Sequence, residues 1–346
     1  MGSTPAIPFQ RLLYADPGTC GAAFWCPLMS PSHLVLSRVG WPSPRTGCCQ
    51  CLDAPVCIIR LLCDGAFSLH AVQKVEAISE RNGDRVVESL ANLPGGYRYL
   101  SGIPPYSAGV RADDDHVIMR RTVSERTPWR DGFLLVDAVL AEAGRPSQAL
   151  CAIELRCPRA HSFDGFGSFN DDYRQALDHR GILLHGGINP VARTNVAPAM
   201  PGLEAALDTE LYAFSFTVPR SAVPTGATAR PSFVIAGAGD LCDQSDLRPE
   251  AIVGGGQDWQ ASGEDRARAV LDEMEARLQA LDVTWGETDA VVTYSVERIG
   301  AVIESTVLPR LGSAKQRGVH WIHARPPIEG LRFEMDTRGG TIEQRR

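Results

Sequence analysis

Between Tyr97 and the C-terminus the chain passes twice through one order of patterned segments, and few architectures can accommodate such a repeat. The order is strand, strand, helix, strand, helix, strand, strand. The first pass opens after the Gly95-Gly96 turn with the alternating run Tyr97-Arg98-Tyr99-Leu100-Ser101-Gly102, followed by a second strand over residues 116–123. Pro128 suits a first helical turn, and Phe133, Val136 and Leu140 then mark an apolar helix face that Gly144 ends. Residues 150–155 read as a strand and residues 166–179 as a helix striped by Phe166, Phe169, Tyr173 and Leu177. The segment 189–196 and a strand over 211–218 close the pass. The second pass has a strand over 232–237, a Gly254-Gly255-Gly256 turn and a periodic helix over 263–281. A strand over 289–296 follows, then a helix through Ile299, Val302 and Val307 that ends at or soon after Pro309. Strands over 318–323 and 331–336 finish it. Two α+β layers result, each with its helices on one face of a sheet.

A length of 346 residues, 44% hydrophobic and 22% charged, is enough for two such layers, each with its own core. The net charge is −7 and no basic run occurs, which argues against a nucleic-acid partner and in favour of a small metabolite. No stretch approaches the roughly 20 apolar residues of a membrane span. Pro5, Pro8, Pro17 and Pro27 interrupt the apolar patches at the N-terminus, so no signal peptide is expected and the cytoplasm is the expected location. Residues 1–56 are rich in Pro, Gly, Ser and Cys and lack periodicity, which predicts an irregular leader. Regular patterning starts with a possible strand over 56–62. No histidine lies among Cys48, Cys49, Cys51 and Cys57, and neither a metal nor an organic cofactor is expected.

Several segments resemble the RidA/YjgF family of imine and enamine deaminases, taken in order. Leu100-Ser101-Gly102 is similar to that family's Ser-Gly strand end, and residues 138–144 to its first helix with a glycine stop. Phe169-Asn170-Asp171-Asp172-Tyr173 resembles its Asn–Tyr helix, and Val191-Ala192-Arg193-Thr194-Asn195-Val196 its arginine segment. In the second pass Ile235-Ala236-Gly237, the helix over 266–281, Arg317 and Phe333-Glu334-Met335-Asp336 take the corresponding places. The resemblance implies two tandem RidA/YjgF (chorismate-mutase-like) units, each a mixed sheet with two helices packed on one face. The N-terminal unit would cover 57–220 and the C-terminal unit 221–346. It further implies a homotrimer and a site drawn from neighbouring units.

A guanidinium can hold a carboxylate through two parallel hydrogen bonds, and a nearby acid can protonate an enamine or activate water. The resemblance therefore implies Arg193 and Arg317 as carboxylate clamps and Glu334 or Asp336 as the catalytic acid. Gly102, Gly237 and Tyr294 are candidate pocket walls. Glu334 and Asp336, two apart on a strand, should share a face and could form a coupled pair with one raised pKa. Two departures stand out. The strand over 211–218 has no carboxylate, and the Arg317 segment lacks the Pro-Ala lead. One composite pocket built from both halves would reconcile them. The expected activity is metal-independent hydrolytic deamination of an imine or enamine of a small carboxylate-bearing metabolite. The alternatives are chorismatase-like release of pyruvate, cyclisation or condensation in a specialised-metabolite pathway, and non-catalytic ligand binding.

Overall fold

The computed structural model describes residues 88–101, 105–200, 208–224 and 230–345, all within one compact unit, Gln73–Arg346. The expected leader, the cysteine cluster, the possible strand at 56–62 and Gly102 lie outside the described residues.

Periodicity placed most elements within a few residues. In the first half, β1 (Ser89–Asn92), β2 (Tyr97–Leu100), β3 (Gly109–Ala112) and β4 (His116–Thr122) precede α1 (Trp129–Glu142) and β5 (Leu150–Arg156). Then come α2 (Phe163–Asp178), β6 (Ala192–Pro198) and β7 (Glu210–Pro219). The second half has β8 (Phe233–Gly239), α3 (Trp259–Ala280), β9 (Ala290–Tyr294) and α4 over residues 300–310. It closes with β10 (His320–Ile322), β11 (Ala324–Arg325), β12 (Glu334–Gly339) and β13 (Ile342–Arg345).

The helices follow their local chemistry. Trp129, Phe133, Val136 and Leu140 bury one stripe of α1, and Gly144 leaves the helix at φ 63°, a conformation that suits glycine. Ser162 caps α2, its hydroxyl accepting from the Gly165 amide. The buried stripe of α2 runs Phe166, Asn170, Tyr173, Leu177, and a lone amide interrupts the apolar series. Asp258 caps α3 in the same way. In α4 a π-turn at Ile303–Val307 precedes Pro309, whose missing N–H breaks regular α-helical bonding.

Two mixed sheets form. One runs β11-β6-β5-β7-β4-β13 and the other β1-β2-β3-β8-β12-β9-β10. Within them β4, β7, β5 and β6 are paired antiparallel, antiparallel and parallel in turn, and β8, β12, β9 and β10 repeat that order and those senses. Helices α1 and α2 cover one face of the first sheet, around Phe133, Ile153, Tyr173 and Phe214. Helices α3 and α4 cover one face of the second, around Val270, Met274, Val291 and Phe333. The uncovered faces meet each other through Tyr97, Val110, Ile118, Ala192 and Ala236. The ends of the chain cross over: β1–β3 extend the second sheet through β8, while β11 and β13 extend the first. The short strands β1, β3, β11 and β13, of two to four residues each, give too little alternation to read from sequence.

Candidate active site

The site forms where β6 of the first sheet meets β8 and β12 of the second. The Gly237 amide donates to Thr194 Oγ1 across that junction at 3.0 Å. Arg193 and Asn195 flank Thr194 and, by strand alternation, face the other way, toward α2. Arg193 Nη2 donates to Asn170 Oδ1 at 2.5 Å, which accounts for the amide within the buried stripe of α2. Its guanidinium carbon lies 4.6 Å from the Tyr173 ring centre, 4.7 Å from that of Tyr106, and 5.4 and 5.5 Å from those of Phe169 and Phe166. Four aromatic faces thus hold the cation in place of a carboxylate. Arg193 is 3% exposed, and its Nη1 has no hydrogen-bond partner. Burial lowers its pKa, yet a guanidinium stays charged at neutral pH.

Glu334 comes from the other half of the chain. It opens β12 opposite Tyr294 of β9 and Gly239 of β8, and it too is 3% exposed. Its side chain lies over Gly237, where a Cβ would overlap Glu334 Oε1, so glycine is needed there to make room for the acid. Burial pushes the Glu334 carboxyl well above the usual carboxylate range, and the charges of Asp336 and Asp240 push it further. Its Oε2 has no hydrogen-bond partner. Beneath it the buried Asp240 binds Arg266 and accepts from the Arg332 amide, fixing the turn that leads into β12.

Arg193 and Glu334 line one cleft together with Tyr106, Phe166, Asn195, Gly237 and Leu331. Its volume is ≈ 30 Å³. A buried guanidinium and a carboxyl pushed toward its acid form, each with one atom short of a partner, thus line the same cleft. Such a pair can hold a carboxylate and deliver a proton beside it.

Of the other expected site residues, Gly237 lines this cleft. Tyr294 and Asp336 do not; they bind each other at 2.8 Å, Tyr294 Oη donating, one pleat further between the sheets. Asp336 does share a strand face with Glu334, and burial pushes its carboxyl up to about 6. Arg317 is exposed on the 3₁₀ turn Gly312–Arg317, its guanidinium reaching only the Gly286 carbonyl at 3.5 Å. The turn ends before β10 begins, so this arginine never enters a strand as Arg193 does, and it stays outside the cleft. Asn195 was missed, although its place two residues after Arg193 on a strand signals the same face. Asn170, named only within the Asn–Tyr helix, and Tyr106 were missed as site residues, since no pattern in the sequence joins them to β6.

A larger cavity of ≈ 860 Å³ opens between the sheets around Arg120, Glu154, Arg338 and Glu343, whose charges pair with one another. Among the described residues no group of three or more His, Cys, Asp or Glu side chains could hold a metal ion. No helix among them is long and apolar enough to cross a membrane.

A crystal structure of a chorismatase aligns at 16% identity over 67% of this chain and 77% of its own, with a TM-score of 0.38, a likeness too slight to carry fold or function. A 2-amino-5-chloromuconate deaminase from Comamonas testosteroni is 36% identical over 256 residues, 74% of this chain and 98% of its own length. The family model described as 2-aminomuconate deaminase CnbZ matches residues 89–344, a span that takes in both Arg193 and Glu334. With cation, acid and both sheets inside that match, the chain belongs to the 2-aminomuconate deaminase family and is a RidA/YjgF-type deaminase acting on the imine or enamine of a small carboxylate metabolite.

Proposed function

We propose that the chain hydrolyses a 2-aminomuconate-type substrate, an unsaturated dicarboxylate with an amino group on the carbon beside one carboxylate. The observation that carries this reading is one buried cleft holding a guanidinium with no carboxylate partner and a carboxyl favoured in its acid form. Arg193 Nη1 binds the carboxylate next to the amino group. Glu334 passes its proton to the enamine chain carbon, and the C–N bond becomes an iminium. Water then adds to the carbon bearing nitrogen and gives its proton to the ionised Glu334. The hydroxyl proton of the resulting carbinolamine moves to nitrogen as the C–N bond breaks, with its electron pair leaving on ammonia. Enamine and water thus become a 2-oxo acid and ammonia, and Glu334 ends protonated as it began. At ≈ 30 Å³ the cleft has room for about two waters, so a six-carbon acid requires its lining to open further.

The repeated strand pairing supports reading each half as one RidA/YjgF unit, divided near residue 220, with a single working site shared between the halves. The chain is further read as a cytoplasmic homotrimer without a nucleic-acid partner. The net charge of −7 supports the absence of a nucleic-acid partner, and the edge strand β10, exposed at all three residues, leaves an edge for a second copy to cover. Light scattering should give three chains per particle; a monomer or dimer would overturn the trimer.

The test of function is ammonia release from freshly generated 2-aminomuconate. One equivalent per substrate is expected. Pyruvate formation from chorismate without ammonia release would replace this reading with the chorismatase one.

A further inference from the structure

We propose that Asn195 recognises the substrate nitrogen, an inference that rests on the deaminase reading of the same cleft. Asn195 follows Arg193 by two residues on β6, so their Cα atoms lie about 6.6 Å apart on one strand face. It is 3% exposed, and neither Oδ1 nor Nδ2 has a hydrogen-bond partner. Both ends of the amide are orphaned, so the conclusion holds whichever way the amide is turned. Leaving a buried polar group unpaired is costly, and an aliphatic residue would suit a strand better. The amide is therefore kept for a partner that arrives with the ligand.

The chemistry of the cleft says which partner. Arg193 can only donate, so it serves carboxylate oxygens. Glu334 in its acid form is committed to the proton it delivers. An enamine nitrogen carries two N–H donors and needs an acceptor. Asn195 Oδ1 supplies one that is neutral. A carboxylate in its place would form an ion pair with the departing nitrogen once protonated and hold it, whereas an amide lets ammonia go. Nδ2 then remains to donate to the oxygen of the attacking water.

A matched pair of planar ligands tests this without turnover. Pyrrole-2-carboxylate places an N–H on the carbon bearing the carboxylate, and 2-furoate replaces that N–H with oxygen. Calorimetry on the full chain should show the wild type binding pyrrole-2-carboxylate at least tenfold more tightly than 2-furoate. Asn195→Leu should bind the two within twofold of each other, with the 2-furoate affinity unchanged and the melting temperature equal or higher. Arg193→Met should bind neither. Equal binding by the wild type, no binding of either ligand, or discrimination that survives in Asn195→Leu would each overturn the proposal. So would a parallel loss of both affinities in Asn195→Leu, which would assign the amide to the carboxylate. If the wild type discriminates but releases no ammonia from 2-aminomuconate, the deaminase reading fails and nitrogen recognition stands.

Discussion

Arg120 and Arg193 sit on two strands of the same sheet, 6% and 3% exposed, yet their surroundings are opposite in kind. Arg120, on the face turned to the second sheet, grips Glu154 through Nε at 2.5 Å and Nη2 at 2.8 Å. Its remaining nitrogen, Nη1, donates to Glu343 at 2.9 Å and Thr122 at 3.1 Å. Every nitrogen is used, and the network also ties the C-terminal strand β13 to β4. Arg193, on the face turned to α2, has one amide oxygen, four aromatic rings and a free nitrogen. A saturated cation holds the structure together. An unsaturated one is kept buried at an energetic cost, which the proposed function explains as readiness for an anion that comes and goes.

That contrast sets opposite expectations for the same substitution. Arg193→Met should abolish measurable deamination, a loss of at least about 10³-fold, while the melting temperature stays level or rises, because an unpaired buried charge is removed. Arg120→Met should keep its site chemistry per folded molecule but lose about 3 kcal/mol of stability, since the half-buried Glu154 is left with only Arg156, 4.0 Å away. Denaturant titration beside turnover separates the two outcomes. Equal destabilisation by both substitutions would erase the comparison.

Next in size is Glu334→Gln, which keeps the shape and removes the proton. Turnover should fall about 10²–10⁴-fold. The pH dependence sharpens the assignment. The folded-state pKa of Glu334 lies above its unfolded value of about 4.3, so this carboxyl favours folding at low pH. Stability is lost as pH rises from that unfolded value through the raised folded one. Asp336 acts in the same sense between about 3.9 and its folded value of about 6. Glu334→Gln should therefore be more stable than the wild type at neutral pH by a margin that shrinks toward pH 4. Wild-type activity should decline on the alkaline side as the acid form of Glu334 is lost. Urea melts at stepped pH measure the first effect and initial rates the second.

The smallest expected effect is that of Gly237→Ala. A methyl group there displaces the Glu334 carboxyl, which should lower turnover by up to about 10²-fold, the scale of a misplaced catalytic group, with little change in fold. A variant with unchanged kinetics would mean that the acid does not work from its place over β8.

Much of this was legible in the sequence because it is local. The stripe Phe166, Phe169, Tyr173, Leu177 announces α2, and the two-residue spacing puts Glu334 and Asp336 on one face. The absence of acid from the strand at 211–218 pointed to a site shared between halves, and the cleft does join Arg193 of the first half with Glu334 of the second. What stayed hidden depends on packing between segments far apart in sequence. Nothing in the run 234–239 says that Gly237 lies under Glu334, and nothing near Arg317 says that its turn stops short of a strand. Tyr106 approaches Arg193 only because Ser107 pairs with Ala192 of β6. Strand exchange by β3, β11 and β13 escaped for the same reason: pairing partners are chosen by the tertiary fold, not by the strand's own residues.

The most direct measurement is ammonia release from 2-aminomuconate by the wild type, Arg193→Met, Glu334→Gln and the double variant, each confirmed folded by its melting curve. One shared site requires that both single variants fall at least about 10²-fold and that the double variant be little worse than the poorer single, since residues acting as a unit are not additive. A folded Arg193→Met enzyme that deaminates within twofold of the wild type would contradict the account.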